Sequence, residues 1–402
     1  MELSQRFINY CKIATMSDPE SHTAPSSKKQ FDLANLLVKE LKDYGVNDAY
    51  VDENCIVYGH IPSNSGSTTK IGLIAHMDTS PDMNDEGCKP RIIEKYDGKD
   101  IVLNEELNIV MSVEQFPDLL NVKGKDLIVT DGTTLLGGDD KAGVAEIMNL
   151  VEYCHNNPDF KHCGICVSFT PDEEVGAGTN HFDLKVFDAD YAYTIDGGNV
   201  ASVDYENFNA ATAKVKVNGL SIHPGDSKDK MINALLVAME FNALLPEKDR
   251  PVNTEGYEGF NHITDMSGEV ETAYMQYIIR NHDKAKLEKQ KDDFRKAKEI
   301  IDQKYGKDTI ELEIFDTYSN MREIIEKHIE IVDRAKEIIN SLGIPATSSA
   351  IRGGTDGAML TYKGLPCPNL GTGGRNCHGK FEYCIIQEME LMAMALIKIV
   401  EA

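Results

Sequence analysis

A histidine followed two residues later by an aspartate, Ala75-His76-Met77-Asp78, closes a short apolar run. An imidazole at a strand exit suits a metal ligand, and the nearby carboxylate can fix that ring or a neighbouring base by hydrogen bonding. Gly137-Gly138-Asp139-Asp140-Lys141 sets two carboxylates at a helix start. They could be N-terminal caps, or Asp139 on its glycine-flanked turn could bridge two metals. Thr170-Pro171-Asp172-Glu173-Glu174 pairs two glutamates. Such pairs are usually solvated, but after an apolar strand one can ligate metal while its neighbour serves as general base. Ile195-Asp196-Gly197-Gly198 ejects an aspartate into a Gly-Gly turn, which is also the make-up of a plain turn. Asn376-Cys377-His378-Gly379 adds a late histidine. Together the five groups supply His, Asp, Glu, Asp and His, donors of the right hardness for a pair of zinc ions.

The elements that must position these groups can be read from the pattern. Residues 28–44 predict a helix, with Phe31, Leu33, Leu37 and Leu41 tending to one side and Gly45 as the stop. Residues 71–75 predict a buried strand ending at His76, and a second helix starts near Lys141. Strands over 163–169 and 190–195 then end at the two acidic turns. Strands alternating with helices imply an α/β layer sheet, whose ligand sites form at the carboxyl ends of strands. After Glu206 the texture changes. Alternation at 211–217, 271–279 and 309–315, with helices near 230–244 and 284–305, predicts the βαββαβ pattern of a small ferredoxin-like α+β domain. The expected organisation is a discontinuous α/β/α catalytic domain, 1–206 and 321–402, with an inserted domain at 207–320.

Length and composition narrow the function classes. At 402 residues two domains are the natural prior, and 41% apolar with 27% charged residues is a globular balance. No run approaches ~18 consecutive apolar residues, so no membrane span is expected. The start does not read as a signal peptide, and the nine irregularly spaced cysteines fit a reducing compartment, so the expected location is cytoplasmic. A net charge of −25 without a basic cluster argues against a nucleic-acid partner.

The ordered set His-x-Asp, Gly-x-Asp-Asp-Lys, Asp-Glu-Glu-Val-Gly, Asp-Gly-Gly and His-Gly resembles the co-catalytic zinc exopeptidases related to carboxypeptidase G and succinyl-diaminopimelate desuccinylase. AHMDTSPD at 75–82, TDGTTLLGGDDKAGVAEIM at 130–148, FTPDEEVGAGTNHFD at 169–183 and the IRGGTDGAML stretch are similar to the peptidase T family of tripeptide aminopeptidases. That resemblance covers essentially the whole chain. It implies a zinc-exopeptidase-like catalytic domain with an inserted lid and dimerisation domain, acting on short peptides with a free N-terminus. It further implies that His76, Asp139 and Asp196 ligate one zinc and that Asp139, Glu174 and His378 ligate the other, with cobalt or manganese as substitutes. Asp78 matches the orienting aspartate, Glu173 the general base, and His223 a lid histidine that reaches the partner subunit's site in a homodimer. Without the resemblance, His223 would be a turn residue before Pro224. Arg280 and Arg352 are candidates to hold a peptide carboxylate bidentately, against the alternative of ordinary surface ion pairs. Arg375 and Cys377 stand where aromatic residues are familiar, and Asn281 where an acidic residue can stand; these bear on pocket shape rather than on the ligands. The rivals are a dipeptidase or N-acyl amino acid deacylase of the same superfamily and, in another class, a non-catalytic metal-binding scaffold.

Overall fold

The computed structural model describes residues 1–402, which fall into two compact units. The larger comprises 1–205, 323–349 and 355–402, and the smaller comprises 206–322 and 350–354.

The larger unit is built on a seven-stranded sheet. Its spatial order is Tyr50–Val51, Val57–Ile61, Gly164–Thr170, Lys70–His76, Tyr191–Gly197, Asn369–Gly371 and Val203–Asp204. The four strands from Gly164–Thr170 to Asn369–Gly371 are parallel, and the outer pairings are antiparallel. The central strands read as unbroken apolar runs because both faces are covered. On one side Ile74, Cys166 and Ala192 pack with Phe187 and Leu360. The helix Gly138–Asn156 lies on the strand Lys70–His76 and packs against the helices Leu3–Cys11 and Ile386–Val400. The chain steps from Lys70–His76 to Gly164–Thr170 on one flank, then crosses to Tyr191–Gly197 on the other. That reversal opens a crevice beyond the carboxyl ends of the parallel strands.

The expected elements lie close to the observed ones. The first predicted helix is Gln30–Asp43, burying Leu33, Leu37 and Leu41, with Gly45 at φ +89° beyond its end. The second spans Gly138–Asn156, but Asp139 and Asp140 have non-helical angles, so its regular turns begin near Lys141. Where it crosses the sheet it does so closely. A Cβ on Gly143 would stand 1.9 Å from the backbone oxygen of Ile195.

The smaller unit is a four-stranded antiparallel sheet in the order Phe260–Gly268, Thr272–Asn281, Asn209–Asn218, Ile310–Tyr318. The helices Ala234–Leu244 and Lys284–Tyr305 bury Ala238, Phe241 and Phe294 against Val215, Met275 and Ile279. This is the expected βαββαβ order, with one strand that the pattern did not reveal. Phe260–Gly268 is a mostly exposed edge strand, and its sequence lacks apolar alternation. A second difference is at 350–354, expected with the larger unit. Ala350 and Ile351 pair in parallel with Glu206 and Asn207, which draws Arg352 into the smaller unit.

The close crossing at Gly143 yields a stability test. Gly143→Ala forces a methyl group onto a backbone oxygen that cannot rotate away, so it should cost about 3 kcal/mol, the upper end for overpacking. Urea unfolding measures it, and an unchanged midpoint would show that the helix can shift freely on the sheet.

Candidate metal centre

Four of the five groups that could do chemistry emerge at strand ends or a helix start on the rim of the larger unit's sheet. His76 is the last residue of Lys70–His76 and is 2% exposed. Its Nε2 lies 2.9 Å from Asp139 Oδ1 and 3.5 Å from Asp196 Oδ1. Its Nδ1 lies 3.0 Å from the Asp78 carbonyl oxygen and 3.3 Å from Asp78 Oδ1. His378 lies on the loop between the short strands Gly374–Arg375 and Tyr383–Ile385, with φ +65°. Its Nε2 lies 3.1 Å from Glu174 Oε2 and 3.5 Å from Asp139 Oδ2. Asp139 therefore turns one oxygen toward each of two histidine–carboxylate pairs.

Asp78 is fully buried and accepts the backbone N–H groups of Glu173 at 3.0 Å and Glu174 at 3.2 Å. One carboxylate thus backs the His76 ring and fixes the turn that carries both glutamates. Asp140 is equally occupied. Its oxygens accept the N–H groups of His76 and Gly143, each at 3.2 Å. Its carboxylate also falls within 4.8 Å of the His76 and Asp196 ligand atoms, as the Asp139 and Glu174 atoms do around His76. Backbone N–H groups thus engage both Asp140 oxygens, whereas the Asp139 oxygens face histidine nitrogens.

The electrostatics follow from this crowding. Burial and the Asp139 charge push the Asp196 carboxyl up to about 7, against the pull of His76. Burial, then the charges of Asp196, Asp356 and Glu174, raises Glu173 well above the usual glutamate range. Burial also raises Glu174. Hydrogen bonds to Asp139 and Glu174 push the His378 imidazole up to about 11. For His76 burial works the other way, but Asp196, Asp139 and Asp78 outweigh it and raise the ring. Asp139 is held well below the usual carboxylate range, since the two histidines overcome its burial.

The residues fit a divalent metal. Glu174 Oε1 is buried without any hydrogen-bond partner, while Glu174 Oε2 lies 3.1 Å from His378 Nε2. Nitrogen and carboxylate oxygen together are donors that zinc, cobalt and manganese accept.

Several residues outside the predicted set brace these groups. Ser80 Oγ and Asp82 Oδ2 lie 3.3 Å and 3.1 Å from His378 Nδ1. Asp172 accepts from the Ser26 N–H at 2.7 Å and Gln30 Nε2 at 2.6 Å, tying the glutamate turn to the first long helix. Glu382 accepts backbone N–H groups from the turn before Asp139. Asp82 and Asp172 lie inside motifs already quoted; Glu382 carries no local signal.

The remaining predicted residues lie in the smaller unit. His223 is exposed, and its Nδ1 accepts the Gly225 N–H at 3.2 Å, which leaves the ring hydrogen on Nε2 in the neutral form. Arg280 donates to the carbonyls of Ala211 and Ile279 at 3.2 and 3.1 Å and stacks over Tyr318. Arg352 donates to the carbonyls of Gly256 and Glu258 and to Thr254 Oγ1, at 2.6, 2.9 and 3.1 Å, and stacks over Phe208 and Phe260. Its fork braces the 254–258 loop.

Comparison with known proteins fits this architecture. The chain is 51% identical over 400 residues to a peptidase T of Alkaliphilus oremlandii, covering 99% of this chain and 98% of the relative. The chain belongs to the peptidase T family. Residues 205–309 also match a peptidase dimerisation domain. Among solved structures the fold is shared with a Staphylococcus aureus tripeptidase at a TM-score of 0.78 and 21% identity, over 100% of this chain and 97% of that one. A dinuclear metal binding peptidase of the M20 family from Bacillus subtilis matches at a TM-score of 0.63 and 12% identity, over 99% and 96%. For this member of the peptidase T family, the match of 205–309 overlies most of the smaller unit.

The raised carboxyl groups set a pH dependence for the metal-free protein. With its carboxyl pushed from 3.8 to about 7, native Asp196 keeps a proton that the unfolded chain releases. That contribution is full below the ordinary value and is lost as pH rises through the folded one. Metal-free protein should lose thermal stability from about pH 4 to about pH 7, and a saturating divalent ion should flatten the loss. Calorimetry across a pH series, with and without zinc, measures both. Metal-free stability that climbs through this window would contradict the crowding of acids.

Proposed function

We propose that this chain is a metallo-aminopeptidase that releases the N-terminal residue from tripeptides, working on two divalent ions. The observation that carries the reading is the disposition of Asp139, one oxygen facing His76 and Asp196 and the other facing His378 and Glu174, with Glu173 on the same turn as Glu174. Membership of the peptidase T family supports the reaction, and the tripeptidase fold neighbour supports the substrate length.

His76, Asp139 and Asp196 would hold one ion and Asp139, Glu174 and His378 the other, with zinc the best match and cobalt or manganese as substitutes. When bound, the ions polarise the scissile carbonyl and offset the negative charge that develops on its oxygen. Glu173 takes the proton of the attacking water and passes it to the leaving amine. Burial among carboxylates raises its proton affinity and so equips it as a base. Asp78 keeps Glu173 and the His76 ring in register through its hydrogen bonds. His223, with its hydrogen on Nε2, is a donor suited to the developing oxyanion. The dimerisation-domain match supports a homodimer in which that donor serves the partner subunit's site. Arg280 has the freer guanidinium for a peptide carboxylate, since Arg352 already spends its fork on three acceptors. No helix is long and apolar enough to cross a membrane. Together with nine unpaired cysteines, this supports a cytoplasmic location.

Two expectations follow. Glu173→Ala should fold and take up two equivalents of metal while kcat falls ~10²–10⁴-fold, the range for loss of a general base. Steady-state kinetics beside metal analysis tests this, and near-normal turnover would remove Glu173 from that role. A free tripeptide should be cleaved, and its N-acetylated form should not. Efficient release of the blocked residue would favour a deacylase instead.

A further inference from the structure

Glu382 follows His378 by four residues and is 1% exposed. Its Oε2 accepts the backbone N–H groups of Leu136 at 3.0 Å and Gly137 at 2.8 Å, and its Oε1 accepts that of Asp139 at 3.0 Å. The turn closes tightly on the carboxylate. Gly137 has φ +77°, and a Cβ on Gly138 would stand 3.1 Å from Glu382 Oε1 and 2.6 Å from Cys384 Sγ. Backbone N–H groups converging in this way form an anion-binding concavity, and here the anion is the protein's own. The Glu382 N–H donates in turn to the Gly379 carbonyl at 3.1 Å. The segment 378–382 therefore does two things. At one end it brings the ring whose Nε2 lies 3.5 Å from Asp139 Oδ2, and at the other it grips the backbone of Asp139 itself.

We propose that Glu382 is a positioning residue of the metal centre, which holds the turn 136–139 so that Asp139 offers one oxygen to each ion. The proposal rests on the two-ion reading above. All three donors come from one turn and include the backbone of the bridging residue, so Glu382 acts on Asp139 rather than on the fold at large. A buried acid without this role looks different. Glu146, inside the long helix, has neither oxygen partnered. Because Asp139 belongs to both ion sites, disturbing its anchor should weaken both ions together.

The test is titration of cobalt(II) into the metal-free full chain, followed by calorimetry and visible absorption, with circular dichroism to verify folding. Wild type should take up two ions. Glu382→Gln keeps one acceptor oxygen and nearly the same shape. It should fold and bind both ions about 10–100-fold more weakly, the usual effect of losing an outer-sphere partner, with an altered cobalt absorption band. Its kcat should fall while KM changes little. Glu382→Ala should go further in the same direction, and the Gln variant carries the test where the Ala variant does not fold. Unchanged affinity and absorption in Glu382→Gln would overturn the proposal, as would weakening of one ion alone. Failure of the wild type to take up two ions would instead overturn the reading on which the proposal rests.

Discussion

Seven carboxyl groups, those of Asp78, Asp139, Asp140, Glu173, Glu174, Asp196 and Asp356, share the crevice at the sheet edge with the two imidazoles of His76 and His378. Like charges this close cannot all persist away from water, and the imbalance is relieved either by protons or by cations. Burial and neighbouring carboxylates raise Asp196, Glu173 and Glu174 and so favour their protonated forms, while His378 and His76 depress Asp139. Divalent ions relieve the same imbalance more completely, since they compensate several carboxylates without neutralising any. The arrangement is costly for a purely structural core and well suited to a metal centre.

The carboxylates divide according to what the backbone offers them. Asp78 and Asp140 accept pairs of N–H groups and so act as struts, one for the glutamate turn and one between His76 and the helix. Asp139, Asp196 and Glu174 meet mainly side chains, and Glu174 keeps one oxygen unpartnered. Adjacent residues can thus play opposite parts. Asp139 and Asp140 flank the point where extended chain becomes helix, and their differing backbone angles, ψ 105° and 33°, send the two side chains to different neighbours.

Much of this was legible because the chemistry sits where short-range patterns end. His76 closes an apolar run, the two glutamates and Asp196 follow others, and Asp139 precedes a helix. Periodicity fixes such boundaries, so residue type plus boundary was enough to nominate them. What pattern could not reveal was contact between distant segments. Glu382 meets the turn 136–139 across more than 240 residues, and nothing in its neighbourhood distinguishes it from a solvated glutamate. The strand Phe260–Gly268 was hidden for a related reason, since an exposed edge strand needs no apolar alternation. The place of 350–354 depends on two bridging residues pairing with Glu206 and Asn207, again a nonlocal fact.

Arg375 shows how a departure from the family pattern can be absorbed. An arginine where aromatic residues are familiar points first to an altered substrate pocket, but the side chain turns toward the protein. Its NH1 donates to the carbonyls of Gly198 and Gly374, both at 2.7 Å, and its NH2 pairs with Glu388 at 2.8 Å. Gly198 directly follows the strand Tyr191–Gly197 that carries Asp196, so the guanidinium ties the end of that strand to the C-terminal helix. With its side chain only 22% exposed, this pair is shielded enough to outweigh an ordinary surface contact. A cation is also well tolerated near an excess of acid, and its planar fork can hold two carbonyls and a carboxylate at once. The substitution therefore bears on how firmly Asp196 is presented.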